Sequence, residues 1–166
     1  MAATNTSNKP FEAFIDKLRS DYPQFNFRPG RQTRWSPRDK TVIYNSSEIS
    51  QKLKSGLLHE LAHGLLGHST YNSDFELLKM ESEAWTTAAE LGRKYGVKIS
   101  DDYIQTCLDT YRDWLHRRST CPTCGTHVMQ KDATNYQCYN CQTAWEVTGA
   151  RFLRPYRKSL KNTKTR

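Results

Sequence analysis

The sequence predicts an α+β protein in which a mainly helical domain with a small antiparallel sheet is followed by a small four-cysteine module. Apolar residues recur at helical spacing in four segments before residue 119. Residues 25–45 are instead rich in aromatic and β-branched side chains and are broken by turn signals, which is typical of short strands. Two Cys-x2-Cys pairs follow at metal-ligand spacing. The length of 166 residues suits one ordinary domain with a small appendage.

The first three helices are predicted from their apolar periods and their end signals. The first begins at Pro10, a residue suited to the first helical position, and ends before Pro23. Asn45 is expected to cap the second helix, because Glu48 follows three residues later and regularly spaced leucines come after it. The third helix follows after a looser stretch and is expected to end at Gly96.

A fourth helix is predicted to open at Ser100, and the composition changes where its apolar period ends. This change marks a domain boundary. The chain is therefore expected to comprise a disordered N-terminus (residues 1–9), a main domain (10–118), a four-cysteine module (119–150) and a basic C-terminal tail (151–166).

The basic charge of the chain is concentrated towards its C-terminus. The formal net charge is +8; residues 119–166 hold eight Lys and Arg against two Asp and Glu, whereas residues 1–118 hold 17 against 15. Cations interleaved with aromatic residues can bind nucleic-acid phosphates or an acidic partner. A solvated, frayed tail is the alternative interpretation. The candidate contact residues are Arg151, Arg154, Arg157, Lys158 and Lys161.

The stretch "GLLHELAHGLLGH" predicts a metal site on the second helix. His59 and His63 are four residues apart, so both imidazoles lie on one helix face and can reach a single ion. Glu60 lies beside them and can serve as a general base. The alternative is an ordinary buried helix whose histidines find hydrogen-bond partners. His68 does not fit a three-histidine pattern, because Leu66 stands where that pattern requires glycine and His68 comes one residue early.

The third ligand is expected to be a carboxylate on the next helix, where "MESEAW" offers two. Glu81 and Glu83 are separated by about 200° around a helix, so only one of them should face the metal. We predict Glu83, because small side chains from that residue onward would let the two helices approach closely. These small residues are Ala84, Ala88 and Ala89.

With "HELAHGLLGH" followed by "ESEAWTTAAEL", the sequence resembles the ImmA/IrrE family of zinc metallopeptidases, which are of the gluzincin type, over roughly residues 10–118. The family carries a Glu-Ala-Asn-x-Phe-Ala signature whose glutamate is the third zinc ligand, and the resemblance implies this role for Glu83. Ala84 also matches the signature, whereas Trp85 and Thr87 replace its Asn and Phe. The resemblance further implies a helix-turn-helix transcriptional repressor as the substrate.

The stretch "CPTCGTHVMQKDATNYQCYNC" predicts a second, closed metal site. Four thiolates at this spacing make a tetrahedral structural zinc site of the ribbon type, with no open position for catalysis. Short strands are expected at Val128 and Met129 and in "TAWEV". SprT-type proteases, which act on DNA-linked proteins, also join His-Glu-x-x-His to a zinc ribbon and so look similar in domain order. Their third zinc ligand is typically a histidine, which makes them the second choice among enzyme families. The expected ligands are Cys121, Cys124, Cys138 and Cys141.

These patterns together predict a zinc endopeptidase that holds one catalytic and one structural zinc ion and cuts a protein substrate. Tyr71 and His68 are alternative candidates for stabilising the oxyanion. The predicted strand "TVIYN" could pair with an extended substrate. The alternative function is a non-enzymatic adaptor that binds nucleic acid or protein through the ribbon and the tail.

A cytoplasmic location with no membrane partner is expected. The first residues lack a basic start followed by an apolar run, and no stretch approaches the ~20 apolar residues of a membrane span. Cysteines that stay reduced to bind zinc fit a reducing compartment.

Overall fold

The computed structural model describes residues 9–46, 50–148 and 157–160, which form an α+β fold as predicted. The elements in chain order are α1 (Lys9–Asp21), β1 (Asn26–Gly30), β2 (Arg34–Ser36), β3 (Thr41–Asn45), α2 (Gln51–Leu65), α3 (Asp74–Tyr95), α4 (Asp101–Ser119), β4 (Asn135–Gln137), β5 (Ala144–Val147) and β6 (Arg157–Leu160). The expected N-terminal disorder over residues 1–8 and the expected contribution of Glu48 lie outside the described residues. None of the helices in the described part is both long and apolar enough to cross a bilayer.

Caps set the ends of the helices. α2 begins after Ser50, whose hydroxyl accepts the backbone N–H of Leu53 at 3.2 Å. The expected cap at Asn45 is wrong, because β3 continues through Asn45, which pairs with Gly30 of β1. Gly96 follows the last residue of α3 with a φ of +67°, a conformation that glycine adopts without strain, so the predicted end of α3 is confirmed.

The first sheet is mixed, with the strand order β1-β3-β2, so the expectation of an antiparallel sheet holds for only one of its pairs. β1 pairs with β3 in parallel, whereas β2 pairs with β3 antiparallel. β3 takes the centre because its residues 41–44 are buried in succession, as suits a strand covered on both faces. Both edges of β3 are therefore paired, and the expectation that "TVIYN" receives a substrate strand is wrong. β2 lies at an edge of this sheet.

The chain divides into two compact units. The first combines the chain up to Ser69 with Glu83–Ser100, and the second combines Thr70–Ser82 with the chain from Asp101 onward. In the first unit the apolar faces of α1, β3 and α2 form the core, and burying each Leu or Ile contributes about 1.5–3 kcal/mol. The side chains with no exposed surface there include Ile15, Leu18, Val42, Leu57, Leu58 and Leu61.

A buried charge pair organises the second unit. The Nε–H of Arg118 donates to the Asp74 carboxylate at 3.0 Å, and the two side chains are only 2% and 3% exposed. The Tyr136 hydroxyl also donates to Asp74, and burial together with this contact raises the pKa of Tyr136. The other guanidinium N–H groups of Arg118 donate to the carbonyls of Ala133 and Thr148. The network ties the start of α3 and the end of α4 to the cysteine-rich segment.

The second sheet is antiparallel, in the order β4-β5-β6. The strand expected in "TAWEV" is confirmed as β5, whose Trp145 is fully buried and stacks on Tyr136 with ring centroids 5.4 Å apart. Val128 and Met129 do not form the expected strand; they lie between two isolated bridges. β6 takes four residues from the segment expected to be a basic tail.

Candidate metal centre

His59 and His63 lie side by side on the buried face of α2. Their Nε2 atoms are 3.1 Å apart, and both residues are more than nine-tenths buried. Leu57, Leu58 and Leu61 have no exposed surface either, so α2 is buried well beyond the face that carries the two histidines. The i, i+4 spacing therefore brings two imidazoles to one point, as the sequence predicts.

The separation of the two Nε2 atoms fits ligation of one ion. Zinc–nitrogen distances of about 2.0–2.1 Å in a tetrahedral site put two ligand nitrogens roughly 3.3–3.4 Å apart. The observed distance between the Nε2 atoms of His59 and His63 is 3.1 Å. A shift of a few tenths of an ångström would accommodate the ion.

Glu81 of α3 joins the two histidines in a three-residue cluster. The ligand atoms of His59, His63 and Glu81 all lie within 4.8 Å of one another, and Glu81 is 6% exposed. Glu81 lies one helical turn before Trp85, whose ring stacks on that of His59 with centroids 4.1 Å apart. Residues four apart share a helix face, so the packing of Trp85 against His59 also turns Glu81 towards the histidines.

Glu83, the third ligand expected from the sequence, makes a different contact. Its carboxylate is 47% exposed and lies 3.6 Å from Nε2 of His68. Ala84 and Ala88 have no exposed surface, as small residues at a close helix approach should have. They occupy the i+3 and i+7 positions from Glu81, whereas Glu83 is turned by about 100° from Ala84. The small residues therefore mark the face of Glu81, and the geometry favours Glu81 over Glu83.

Glu60 is oriented by strand β2. The backbone N–H of Trp35 donates to Oε2 of Glu60 at 2.8 Å, and the indole N–H of the same residue donates to the carbonyl of His68 at 2.9 Å. Gly64 makes room for the indole, since a Cβ at this position would lie 3.1 Å from two of its ring carbons. Trp35 thus contacts both the candidate general base and the turn that follows α2.

The chain matches no family model, no curated protein and no solved structure. The resemblance to the ImmA/IrrE family therefore remains a prediction drawn from two short motifs.

The four cysteines expected to bind zinc form a second cluster. The Sγ atoms of Cys121 and Cys141 are 3.5 Å apart, as are those of Cys124 and Cys138, and all four Sγ atoms lie within 4.8 Å of one another. A disulfide would need about 2.05 Å, whereas two thiolates on one zinc ion lie roughly 3.8 Å apart. Hydrogen bonds from Thr126 lower the pKa of Cys124 to about 5, which favours the ligating thiolate. The cluster can hold a metal ion such as zinc.

The remaining candidate residues fall outside both clusters. Tyr71 is 43% exposed in the loop before α3, and its role in oxyanion stabilisation stays a prediction. The side chain of His68 is mostly buried, and its Nδ1 faces Nδ1 of His63 at 2.9 Å. Arg157 and Lys158 belong to β6, whose backbone alone is described. Arg151, Arg154 and Lys161 lie outside the described residues.

Sequence reasoning did not identify the two tryptophans that support the metal cluster. Trp35 belongs to strand β2 and lies 25 positions before Glu60 in the chain, and no spacing rule links the two residues. Trp85 is 5% exposed and covers the ring of His59. The sequence marks Trp85 only by its position directly after "EA" in the second motif, where the ImmA/IrrE family has Asn.

Proposed function

We propose that this protein is a zinc-dependent endopeptidase whose catalytic metal is held by His59, His63 and Glu81. The observation that carries the proposal is the buried cluster of two imidazoles and one carboxylate, with a second carboxylate, Glu60, adjacent on the same helix. Two histidines and one glutamate are a ligand set of catalytic zinc sites, which keep a further position open. Glu81 replaces Glu83 in the ligand set expected from the sequence.

Glu60 would act as the general base. Bound zinc would polarise the scissile carbonyl and lower the pKa of a water molecule towards 7. The carboxylate of Glu60 would take the proton of the attacking water and pass it to the leaving amine. The Trp35 N–H, which donates to Oε2 of Glu60, would hold that carboxylate in one orientation during both transfers. His59 and His63 would act only through their Nε2 atoms.

The edge of β2 is the place we propose for the substrate backbone. β2 lies at an edge of the first sheet, and its Trp35 is bonded directly to the candidate base. An extended peptide that lies alongside this edge would bring its carbonyl groups close to Glu60, while the Trp35 N–H stays bonded to that carboxylate. The substrate would thus be a locally unfolded segment of a protein, such as a transcriptional repressor or another DNA-bound protein.

The four-cysteine cluster would hold a second, structural zinc ion in a ribbon. Four thiolates leave no open position, so this site would not take part in hydrolysis. The basic C-terminal residues would attract nucleic acid or an acidic partner to the same end of the chain. Thiolates kept reduced for zinc suit the cytoplasm.

Metal content per chain tests the proposal. Elemental mass spectrometry on desalted, zinc-saturated protein should find two zinc ions in the wild type and one in Glu81→Ala. Glu90→Ala, at an exposed carboxylate on the same helix, is the matched control and should retain two, and Glu83→Ala should also retain two at saturating zinc. One zinc ion in every variant would contradict the proposal, and loss in Glu83→Ala alone would restore the ligand set expected from the sequence.

A further inference from the structure

The turn that ends α2 carries His68 back against His63. The N–H of His68 donates to the carbonyl of His63 at 2.9 Å, and the N–H of Gly67 donates to that of Gly64 at 3.2 Å. This pair of bonds is the Schellman motif, with Gly67 in the left-handed conformation at a φ of +70°. The motif reverses the chain within two residues of the helix end. These two backbone hydrogen bonds form because Gly67 adopts the left-handed conformation, and they bring the imidazole of His68 back towards His63.

The two rings of His63 and His68 meet through the nitrogens that do not face the metal cluster. Nδ1 of His63 lies 2.9 Å from Nδ1 of His68, whereas Nε2 of His63 lies 3.1 Å from Nε2 of His59. A neutral imidazole has one N–H and one lone pair. If the lone pair of His63 is on Nε2, its proton is on Nδ1, and Nδ1 of His68 can accept it through its own lone pair.

The far side of His68 faces a carboxylate. Nε2 of His68 lies 3.6 Å from Oε2 of Glu83, which is an ion-pair distance although it is too long for a hydrogen bond. The negative charge of Glu83 favours a proton on the nitrogen that faces it. A proton on Nε2 of His68 leaves the lone pair of His68 on Nδ1, which is where His63 needs an acceptor.

We propose that His68 and Glu83 are positioning residues that fix the ring orientation and the tautomer of His63. The carboxylate of Glu83 orients the N–H of His68, His68 accepts the Nδ1–H of His63, and His63 then presents the Nε2 lone pair to a metal ion. This inference rests on the proposed metal site. Glu83 would then not be the metal ligand expected from the sequence but would act on the metal through His68 and His63. His68 would support metal binding in place of stabilising the oxyanion. Partners of this kind typically change metal affinity 10–100-fold.

Metal affinity in three substitutions tests the proposal. Zinc is titrated into the full-length, metal-free chain against a fluorescent chelator, and the four-cysteine site serves as the internal reference. His68→Phe keeps a flat ring but has no acceptor, and it should weaken the first site roughly 10–100-fold. His68→Gln retains an acceptor oxygen and should recover most of this loss. Glu83→Gln keeps the shape of the side chain but removes the half-exposed charge that faces Nε2 of His68, and it should weaken the site several-fold. His116→Phe, on the exposed face of α4, should have no effect.

The turn itself provides a test that leaves both imidazoles in place. Gly67→Ala puts a side chain where φ is +70°, and the space around its Cβ is open, so the strain is confined to the backbone. Gly96→Ala meets the same conditions at the end of α3, with φ at +67° and open space. Gly67→Ala should lower the zinc affinity of the first site, whereas Gly96→Ala should lower only the free energy of unfolding.

The outcomes separate this inference from the proposed function. A wild type that binds zinc only at the cysteines would overturn both. A wild type with two zinc ions in which His68→Phe and Glu83→Gln both bind as tightly as before would overturn the positioning role and leave the proposed function intact. An equal loss in His68→Gln and His68→Phe would also overturn it, because packing rather than the acceptor would then be decisive. Should His68→Phe fail to fold, unchanged affinity in Glu83→Gln and Gly67→Ala would overturn it.

Discussion

Trp35 donates its backbone N–H to the carboxylate of Glu60 at 2.8 Å, which couples the edge strand of the first sheet to the helix that carries both histidines. The same tryptophan donates its indole N–H to the backbone of His68. Trp35 thus contacts the candidate base through its backbone and the turn behind the candidate metal ligands through its side chain. The geometry of the site depends on contacts between β2 and α2 as well as on the motif within α2.

Glu60→Gln should abolish hydrolysis while leaving the metal in place. The amide oxygen can still accept the Trp35 N–H, so the local structure should persist, but an amide cannot take a proton from water. We expect the rate to fall roughly 10²–10⁴-fold. Turnover of a mixture of internally quenched peptides gives the rate, and elemental analysis gives the zinc content. Glu90→Gln, exposed on α3, is the matched control; full activity in Glu60→Gln would exclude the mechanism.

Gly64→Ala should weaken the contact between α2 and β2. A Cβ at Gly64 would lie 3.1 Å from the Trp35 ring, and the hydrogen bonds of Trp35 limit how far the ring can move. Overpacking costs about 1–3 kcal/mol, which exceeds the gain of roughly 1 kcal/mol in helix propensity from alanine. Denaturant titration should show a net loss in the free energy of unfolding.

Gly56→Ala on the same helix is the control for this substitution. Its Cβ would lie 3.9 Å from the Thr33 methyl group, an ordinary contact, so only the gain in helix propensity should remain. Gly56→Ala should therefore raise the free energy of unfolding. Equal effects of the two substitutions would argue against a tight contact at Gly64.

The helices could be predicted from the sequence because local signals determine them. Each has an apolar period and an end residue that acts within one turn, such as Gly96 after α3. The pairing of His59 and His63 is local in the same sense, since one helical turn separates them. The cap of α2 was misplaced because Asn45, a good cap residue, is held in β3 by its pairing with Gly30.

The candidate third ligand and the strand order depend on contacts between distant segments. The choice between Glu81 and Glu83 depends on which face of α3 packs inward. Ala84 follows Glu83 directly in the sequence but lies on the helix face of Glu81, so its position in the sequence does not identify the ligand. The central position of β3 follows from burial on both faces, which its neighbours in the sequence do not reveal. Trp35 reaches Glu60 through tertiary structure, so no motif could have indicated it.

Asp74→Asn should strongly destabilise the second unit. The substitution leaves the Arg118 guanidinium buried without its carboxylate, and breaking a buried ion pair in this way costs about 3–5 kcal/mol. The Tyr136 hydroxyl would lose a charged acceptor as well. Thermal unfolding followed by circular dichroism measures the effect.

Asp109→Asn is the control for the buried pair. Asp109 pairs with Arg112 at 2.7 Å on the surface of α4, and its side chain is 62% exposed. Exposed pairs of this kind contribute about 0–1 kcal/mol. If Asp74→Asn were no more damaging than Asp109→Asn, the Arg118 network would not be what holds this unit together.

Removing the zinc ion that we propose for the four-cysteine cluster should unfold the segment around it. The apolar core there is small, with Tyr136, Trp145 and Val147 as its main buried members, and structural zinc contributes on the order of 10 kcal/mol to such modules. A strong chelator should therefore make the cluster thiols react rapidly with a thiol reagent. Cys124→Ser should have the same effect without a chelator, and it should lower the zinc content by one ion.

Cys107 provides the control within the same chain. It lies on α4, apart from the cluster, so Cys107→Ser should keep both zinc ions and leave the cluster thiols protected. Protection that survives the chelator would mean that the packing of Trp145 against Tyr136 holds the segment without metal. Because the Arg118 network lies next to this core, Asp74→Asn should make the thiols react faster at limiting zinc. That dependence would tie the folding of the cysteine segment to the helices α3 and α4.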